Sequence, residues 1–238
     1  MVRAELHCHS RRSADGLPEP VDLLRRAALR GIAVLAITDH DTMAGLREAR
    51  AAGLAAPLLV PAMEVSTLDG EVLALFVEEE IPPGLPLARA VERVRGQGGL
   101  AVCPHPFDAG RGNSCDPGRH DPALWDAVET VNAASKDPRA RARAEDFARK
   151  HGLPELAGSD AHTLWALGRA TTLLDLEPPL ALGAVRQALA KGSLRIDGGL
   201  YPARVRLWQD AAKRARGTAL DGVARALDRR FAGLPPAR

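Results

Sequence analysis

The chain has 238 residues, enough for one sizeable α/β domain with an appendage. Apolar residues make up 46% and charged residues 26%, the balance of a folded protein rather than a disordered one. Aromatic residues stop at 3%, which argues against the stacking platforms used by single-stranded nucleic-acid binders.

Charge is unevenly spread. Residues 200–238 carry nine Lys and Arg against three Asp and Glu, leaving 23 against 27 for residues 1–199. The body is mildly acidic and the tail basic. Cys8, Cys103 and Cys115 are far apart and form no C-x-x-C, so no disulfide framework is expected and a reducing cytoplasm is the expected setting. No signal-like start and no run of 18 apolar residues is present, so no membrane partner is expected.

In chain order, Arg3–Cys8 reads as a first strand and Pro20–Arg30 as a helix closed by Gly31. Ile32–Thr38 is a continuous apolar run, typical of a strand buried on both faces. Met43–Ala52 is a helix, Pro57–Glu64 and Glu71–Val77 are strands, Leu87–Arg95 is a helix and Leu100–Cys103 a strand. Asp108–Pro122, rich in Gly, Asp and Pro, is a long loop of the kind that often carries function. Ala127–Val131, Glu155–Gly158 and Arg169–Leu174 are strands; Pro138–His151 and Leu180–Lys191 are helices; Ser193–Ile196 closes the set. Arg204–Phe231 is helical, and its simplest reading is a helix docked on the body with solvated arginines. Repeated β-α units predict a parallel barrel over residues 1–197, regular or distorted, with a basic helical extension over 198–238.

Chemistry-bearing residues fall at the ends of these strands. His7-Cys8-His9 places two imidazoles on one face of a strand, with Cys8 on the other as a small core residue. Asp160-Ala161-His162 repeats that geometry. Asp15-Gly16 by itself reads as a turn. His40 lies between Asp39 and Asp41, and Asp39 fits a residue that orients an imidazole. Glu64 ends an apolar strand, where an unpaired carboxylate is costly and a metal ion resolves the cost. His105 is held between two prolines, which suits a ligand or a structural turn. His120 and His151 are read as surface residues. Imidazole and carboxylate donors together suit Zn²⁺, Mn²⁺ or Fe²⁺, and clustered ions suit hydrolysis.

The ordered set His7-x-His9, Asp15-Gly16, Thr38-Asp39-His40-Asp41-Thr42, Glu64, His105-Pro106 and Gly158-Ser159-Asp160-Ala161-His162 resembles the PHP (polymerase and histidinol phosphatase) family of metal-dependent phosphoesterases, from the N-terminus to about Ile196. The resemblance implies a distorted (β/α)7 TIM-like barrel with two to three metals at the C-terminal ends of its strands. It implies that His7, His9, Glu64 and Asp160 hold the first metal, that Glu64 and His105 share a second, and that Asp15, His40 and His162 hold a third. Many relatives complete the second site with a His after the Glu motif. Leu73 aligns to that place and cannot ligate, so two tight metals and a partly filled third are expected.

The implied reaction is hydrolysis of a phosphate monoester, on a small phosphorylated metabolite or nucleotide, by metal-activated water. Arg111 in the long loop is the candidate phosphate clamp, and Asp39 or His162 the candidate proton donor. A 5′-3′ exonuclease on short RNA or DNA, its backbone held by the basic tail, is the competing enzyme. A non-catalytic metal-binding domain, suggested by Leu73, is the reading from another class. Neither oligomeric state nor metal identity follows from these residues.

Overall fold

The computed structural model describes residues 1–192 and 194–234. Ten strands and seven helices follow in order: β1 (Val2–Glu5), α1 (Pro20–Leu29), β2 (Ile32–Ala36), α2 (Ala44–Ala51), β3 (Leu58–Val60), β4 (Ala62–Thr67), β5 (Gly70–Leu75), α3 (Leu87–Gly96), β6 (Leu100–Cys103), β7 (Ala127–Asn132), α4 (Ala140–His151), β8 (Glu155–Gly158), β9 (Ala170–Leu174), α5 (Leu182–Lys191), β10 (Leu194–Gly198), α6 (Ala203–Ala215) and α7 (Asp221–Phe231). Most expected elements are present with small boundary shifts, but the expected strand Pro57–Glu64 divides into β3 and β4, in different sheets, and the expected helix Arg204–Phe231 into α6 and α7. Ser193, the expected first residue of the last strand, and residues 235–238 of the expected extension lie outside the described residues.

The strands do not form the expected barrel. They form two mixed five-stranded sheets, β10-β9-β1-β2-β3 and β4-β5-β6-β7-β8, and neither closes. β1, β2 and β3 are parallel, but β9 runs antiparallel to β1 and β10 antiparallel to β9. β4, β5 and β6 are antiparallel neighbours, and β6, β7 and β8 parallel ones.

Two seams show why the ladder stops. At Pro61, which has no N–H to donate, the chain passes end to end from β3, paired with β2 in the first sheet, to β4, paired with β5 in the second. Between β8 and β9 a side chain stands in for ladder bonds: the Thr172 hydroxyl accepts from Ala157 N (2.9 Å) and donates to Ala157 O (3.0 Å). The sheets still share a core. Ala4, Val34 and Val60 of the first sheet pack in one cluster with Leu73, Val102 and Leu156 of the second.

At one end, short extensions of the strands stitch the sheets together. Cys8 bridges to Ala161 and His40 to Glu64. The segment 7–9 is held on both sides, with Thr38 N bonded to Cys8 O (2.8 Å), His9 N to Ala161 O (2.8 Å) and Asp160 N to His7 O (2.7 Å). This end is where the chemistry-bearing residues meet.

Candidate metal centre

The alternation of the β1 extension turns His7 and His9 inward, while Cys8 faces away and donates its thiol to Ala36 O (3.3 Å). Glu64 comes from the middle of β4 and lies at the centre of the cluster. Its Oε1 is 3.4 Å from His7 Nε2 and 3.2 Å from His105 Nε2; its Oε2 is 3.3 Å from His9 Nε2 and 3.2 Å from His40 Nδ1. Asp160 Oδ1 is 3.4 Å from His9 Nε2 and 3.7 Å from His7 Nε2. Asp15 Oδ2 is 3.0 Å from His162 Nε2. All eight expected ligands converge on one site, and His120 and His151 lie outside it.

Two donor atoms about 2.1 Å from one tetrahedral ion stand about 3.4 Å apart. The N···O separations around Glu64 match that spacing. Several buried polar atoms aimed into the cluster have no hydrogen-bond partner: His7 Nε2, His9 Nε2, Asp15 Oδ1, Glu71 Oε2 and His162 Nε2. Orphaned buried atoms are costly in a folded protein, and divalent ions would satisfy this set together. The residues present fit the metals.

Glu71 was not among the expected ligands. It is 3% exposed on β5, with Oε1 3.3 Å from His40 Nδ1 and Oε2 3.4 Å from His105 Nε2. Leu73, two residues on, points to the same face but packs in the shared core. A carboxylate two residues before Leu73 therefore faces His40 and His105, where Leu73 supplies no donor.

Without an ion, the electrostatics favour charged acids beside protonated imidazoles: burial opposes charge on His7, His40 and His105, but the surrounding carboxylates raise all three, His105 to about 9. Burial opposes charge on Glu64, yet His7, His40 and His105 hold it well below the usual carboxylate range. Burial likewise opposes charge on Asp160, and Arg111 and His7 overcome it. His9 is pushed well below the usual imidazole range by burial and by His162 and His40, so it stays neutral and can ligate.

An outer layer fixes the ligands. Glu129 takes His7 Nδ1 on Oε1 (3.0 Å), and its Oε2 accepts from His105 N (2.8 Å) and Asn132 Nδ2 (2.9 Å). Gly158 is required here, since a Cβ would lie 2.3 Å from Glu129 Oε1. Ser13 Oγ is 3.2 Å from His9 Nδ1 and accepts from His40 N (2.8 Å). Glu5, 0% exposed beneath the site, has its carboxyl pushed up to about 7 by burial, against the pull of N–H groups of Ser159, His7 and Gly168. Glu129 and Glu5 are not among the expected site residues; the signal the sequence offers for them is an acid inside an apolar strand.

The expected catalytic residues divide. Arg111 lines the cleft, which holds about 250 Å³, and pairs with Asp160 and with Asp108 (3.2 Å). Asp39 does not line it: its oxygens accept from Ser10 N and Ser10 Oγ, each at 2.6 Å. His162 points Nε2 at Asp15, and its Nδ1 lies 3.0 Å from Asp160 O.

Residues 5–67 match the PHP domain, and residues 138–194 match the PHP-associated family. An uncharacterized protein of Methanocaldococcus jannaschii is 33% identical over 174 residues, covering 71% of this chain and 69% of the relative. The chain belongs to the PHP family. Within it, a 3′,5′-nucleoside bisphosphate phosphatase of Chromobacterium violaceum is 39% identical over 97 residues, 40% of this chain and 34% of that protein. A 5′-3′ exoribonuclease of Haemophilus influenzae is 45% identical over 64 residues, 26% of this chain and 23% of that protein. Among solved structures, a two-domain protein of Bacteroides vulgatus containing a predicted PHP-like metal-dependent phosphoesterase superposes with a TM-score of 0.66 at 17% identity, over 83% of this chain and 65% of that one. With its family, the chain is a metal-dependent phosphoesterase.

Proposed function

We propose that the chain hydrolyses a phosphate monoester of a small metabolite or nucleotide, with two to three divalent ions held by His7, His9, Asp15, His40, Glu64, Glu71, His105, Asp160 and His162. The observation that carries this reading is the ring of unpartnered imidazole and carboxylate atoms spaced around Glu64. His7, His9, Glu64 and Asp160 would hold the first ion, and Asp15, His40 and His162 the third. Glu64, Glu71 and His105 would hold the second. A carboxylate in place of an imidazole makes that position harder, favouring Mn²⁺ there over Zn²⁺. Bound ions would activate the attacking water and neutralise charge on the phosphoryl oxygens.

The chain's own groups complete the site. Arg111 presents a planar cation at the cleft wall, fixed by Asp108 and Asp160, where it can bind two phosphate oxygens. His162 cannot hold an ion through Nε2 and deliver a proton from it, so its role here is ligation. Asp39, shut behind Ser10 and Ser13, orients the loop that bears His9 and Asp15 rather than donating a proton. The cleft is below the 300–1,000 Å³ usual for drug-sized ligands, which favours a small phosphorylated group.

Two observations weigh against the other readings. Some of the tail's cations are committed within the chain: Arg206 donates to Ala134 O (3.0 Å) and Ser135 O (2.9 Å), and Arg216 to Gly16 O (2.9 Å) and Arg11 O (2.8 Å). That leaves fewer for an oligonucleotide backbone. Glu71 removes the motive for a domain without turnover. No described helix is long and apolar enough to cross a membrane. Three free, buried cysteines support a cytoplasmic setting.

The test is phosphate release by Mn²⁺-loaded protein against chelated protein, on phosphate monoesters, nucleotide bisphosphates and short 5′-phosphorylated RNAs. Chelator-sensitive release from small monoesters is expected. Release from RNA alone, falling steeply with salt, would replace this reading with the exonuclease.

A further inference from the structure

Helix α6 docks through Val205, Gln209 and Ala212. Val205 and Ala212 are apolar, as a docking face requires. Gln209 is an amide at 4% exposure, and such a group is costly to bury unless both of its ends are paired. Both are paired, and both partners are backbone atoms of the Asp160–His162 segment. Gln209 Oε1 accepts from His162 N (3.0 Å), and Gln209 Nε2 donates to Asp160 O (3.2 Å).

The Asp160 carbonyl is a focus. It accepts from Gln209 and from His162 Nδ1 (3.0 Å), and it lies 3.2 Å from the Tyr201 hydroxyl, whose single proton goes chiefly to the closer Ser159 O. Asp160 itself has φ 50°, a left-handed conformation that is unfavourable for a non-glycine residue and persists only where surrounding contacts hold it. When Nδ1–H of His162 bonds that carbonyl, Nε2 is turned toward Asp15 and His9, where it can give its lone pair to an ion.

We infer that Gln209, assisted by Tyr201, is a positioning residue of the metal centre. It holds the Asp160 peptide in its strained conformation and so sets the orientation and tautomer of His162. The C-terminal extension is then a working part of the site and not a docked appendage. The inference rests on the reading of Asp160 and His162 as ligands.

The experiment compares wild-type full-length protein with Gln209→Met, which keeps volume and deletes both bonds, and Tyr201→Phe, which deletes one donor. Leu207→Ala, on the solvent side of α6 at 69% exposure, is the control. Mn²⁺ titration of metal-stripped protein by calorimetry is expected to show about a 10–100-fold loss of affinity in Gln209→Met and a smaller loss in Tyr201→Phe, with Leu207→Ala unchanged. In ¹⁵N spectra of Zn²⁺-loaded protein, where an ion would take the place of the Nε2 proton, the single Nδ1–H form of His162 in the wild type should become a mixture in Gln209→Met. If Gln209→Met does not fold, Tyr201→Phe carries both readouts. Unchanged affinity and an unchanged tautomer in the folded variants would overturn the inference. A wild type that binds no Mn²⁺ or Zn²⁺ would instead overturn the metal reading beneath it.

Discussion

Glu71 and Leu73 stand two residues apart on one face of β5 and face different surroundings. Glu71 meets His40 and His105, while Leu73 is 2% exposed among Val34, Val102 and Leu156. Their substitutions should therefore separate cleanly. Glu71→Gln is expected to weaken the second ion and lower phosphate release by about two orders of magnitude, with the thermal midpoint of chelated protein held or raised, because a buried acid has been neutralised. Leu73→Ala is expected to cost about 2–5 kcal/mol of stability by opening a cavity, leaving metal stoichiometry intact. Metal analysis of both variants beside a denaturant titration checks the pair, and a Leu73→Ala protein that loses an ion would sink the assignment. Glu71 was not legible in advance for a physical reason. A two-residue period places 71 and 73 on the same face, and only the tertiary position of β5 decides which one reaches the cluster. Most of the eight expected ligands were legible because they follow strand ends, where an imidazole or acid has no ordinary core role; Asp15, in a loop, was legible only through the resemblance.

At the scale of elements, the loop after β6 shows how a segment without regular structure can hold a cation in place. Asp108 is 0% exposed and accepts from Lys136 N (2.9 Å), Asp137 N (2.9 Å) and Gly110 N (3.2 Å) as well as from Arg111 Nε (3.2 Å). Burial works against its charge, but the amide of Lys136 and the guanidinium of Arg111 keep its carboxyl below the ordinary range. Asp108→Ala would leave these donors unpaired and free the Arg111 side chain. It is expected to cost about 1.5–3 kcal/mol and to raise KM for a phosphate monoester more than it lowers kcat. A fall in kcat alone, with KM unchanged, would show that Arg111 does not bind the ground-state phosphate. The order of elements was legible from apolar runs and Gly stops, but their pairing was not. An apolar run such as Glu71–Val77 looks the same in a parallel or an antiparallel neighbour, so the β4–β5 hairpin and the reversed β9 were read as barrel strands. The tail was read as one helix, and it divides at Gly217 (φ 74°) into α6 and α7.

For the whole molecule, stability is coupled to what the site and the tail hold. Ions that bind only the folded chain raise its stability by about 2.7 kcal/mol at a hundredfold excess over Kd, so chelation should lower the thermal midpoint by several degrees. Beneath that lies a proton linkage remote from the metals. Asp228 on α7 accepts from Leu164 N (2.7 Å), Trp208 Nε1 (2.9 Å) and Trp165 N (3.4 Å), tying the two tail helices to the segment after His162. Burial pushes its carboxyl up to about 6, against the pull of those donors and of Arg26. The unfolded chain's aspartate titrates near 3.9. Between these values the folded protein binds more protons than the unfolded one, so this group's contribution is full below pH 4 and is lost as pH rises through 6. The loss is on the order of 3 kcal/mol, or several degrees in a chain of this size. Asp228→Asn cannot titrate. In chelated protein, the wild type's advantage over Asp228→Asn is therefore expected to shrink as pH rises from 4 to 7. Midpoints that keep a constant separation across that range would show that Asp228 is ionised throughout, held so by its donors and Arg26 despite its burial.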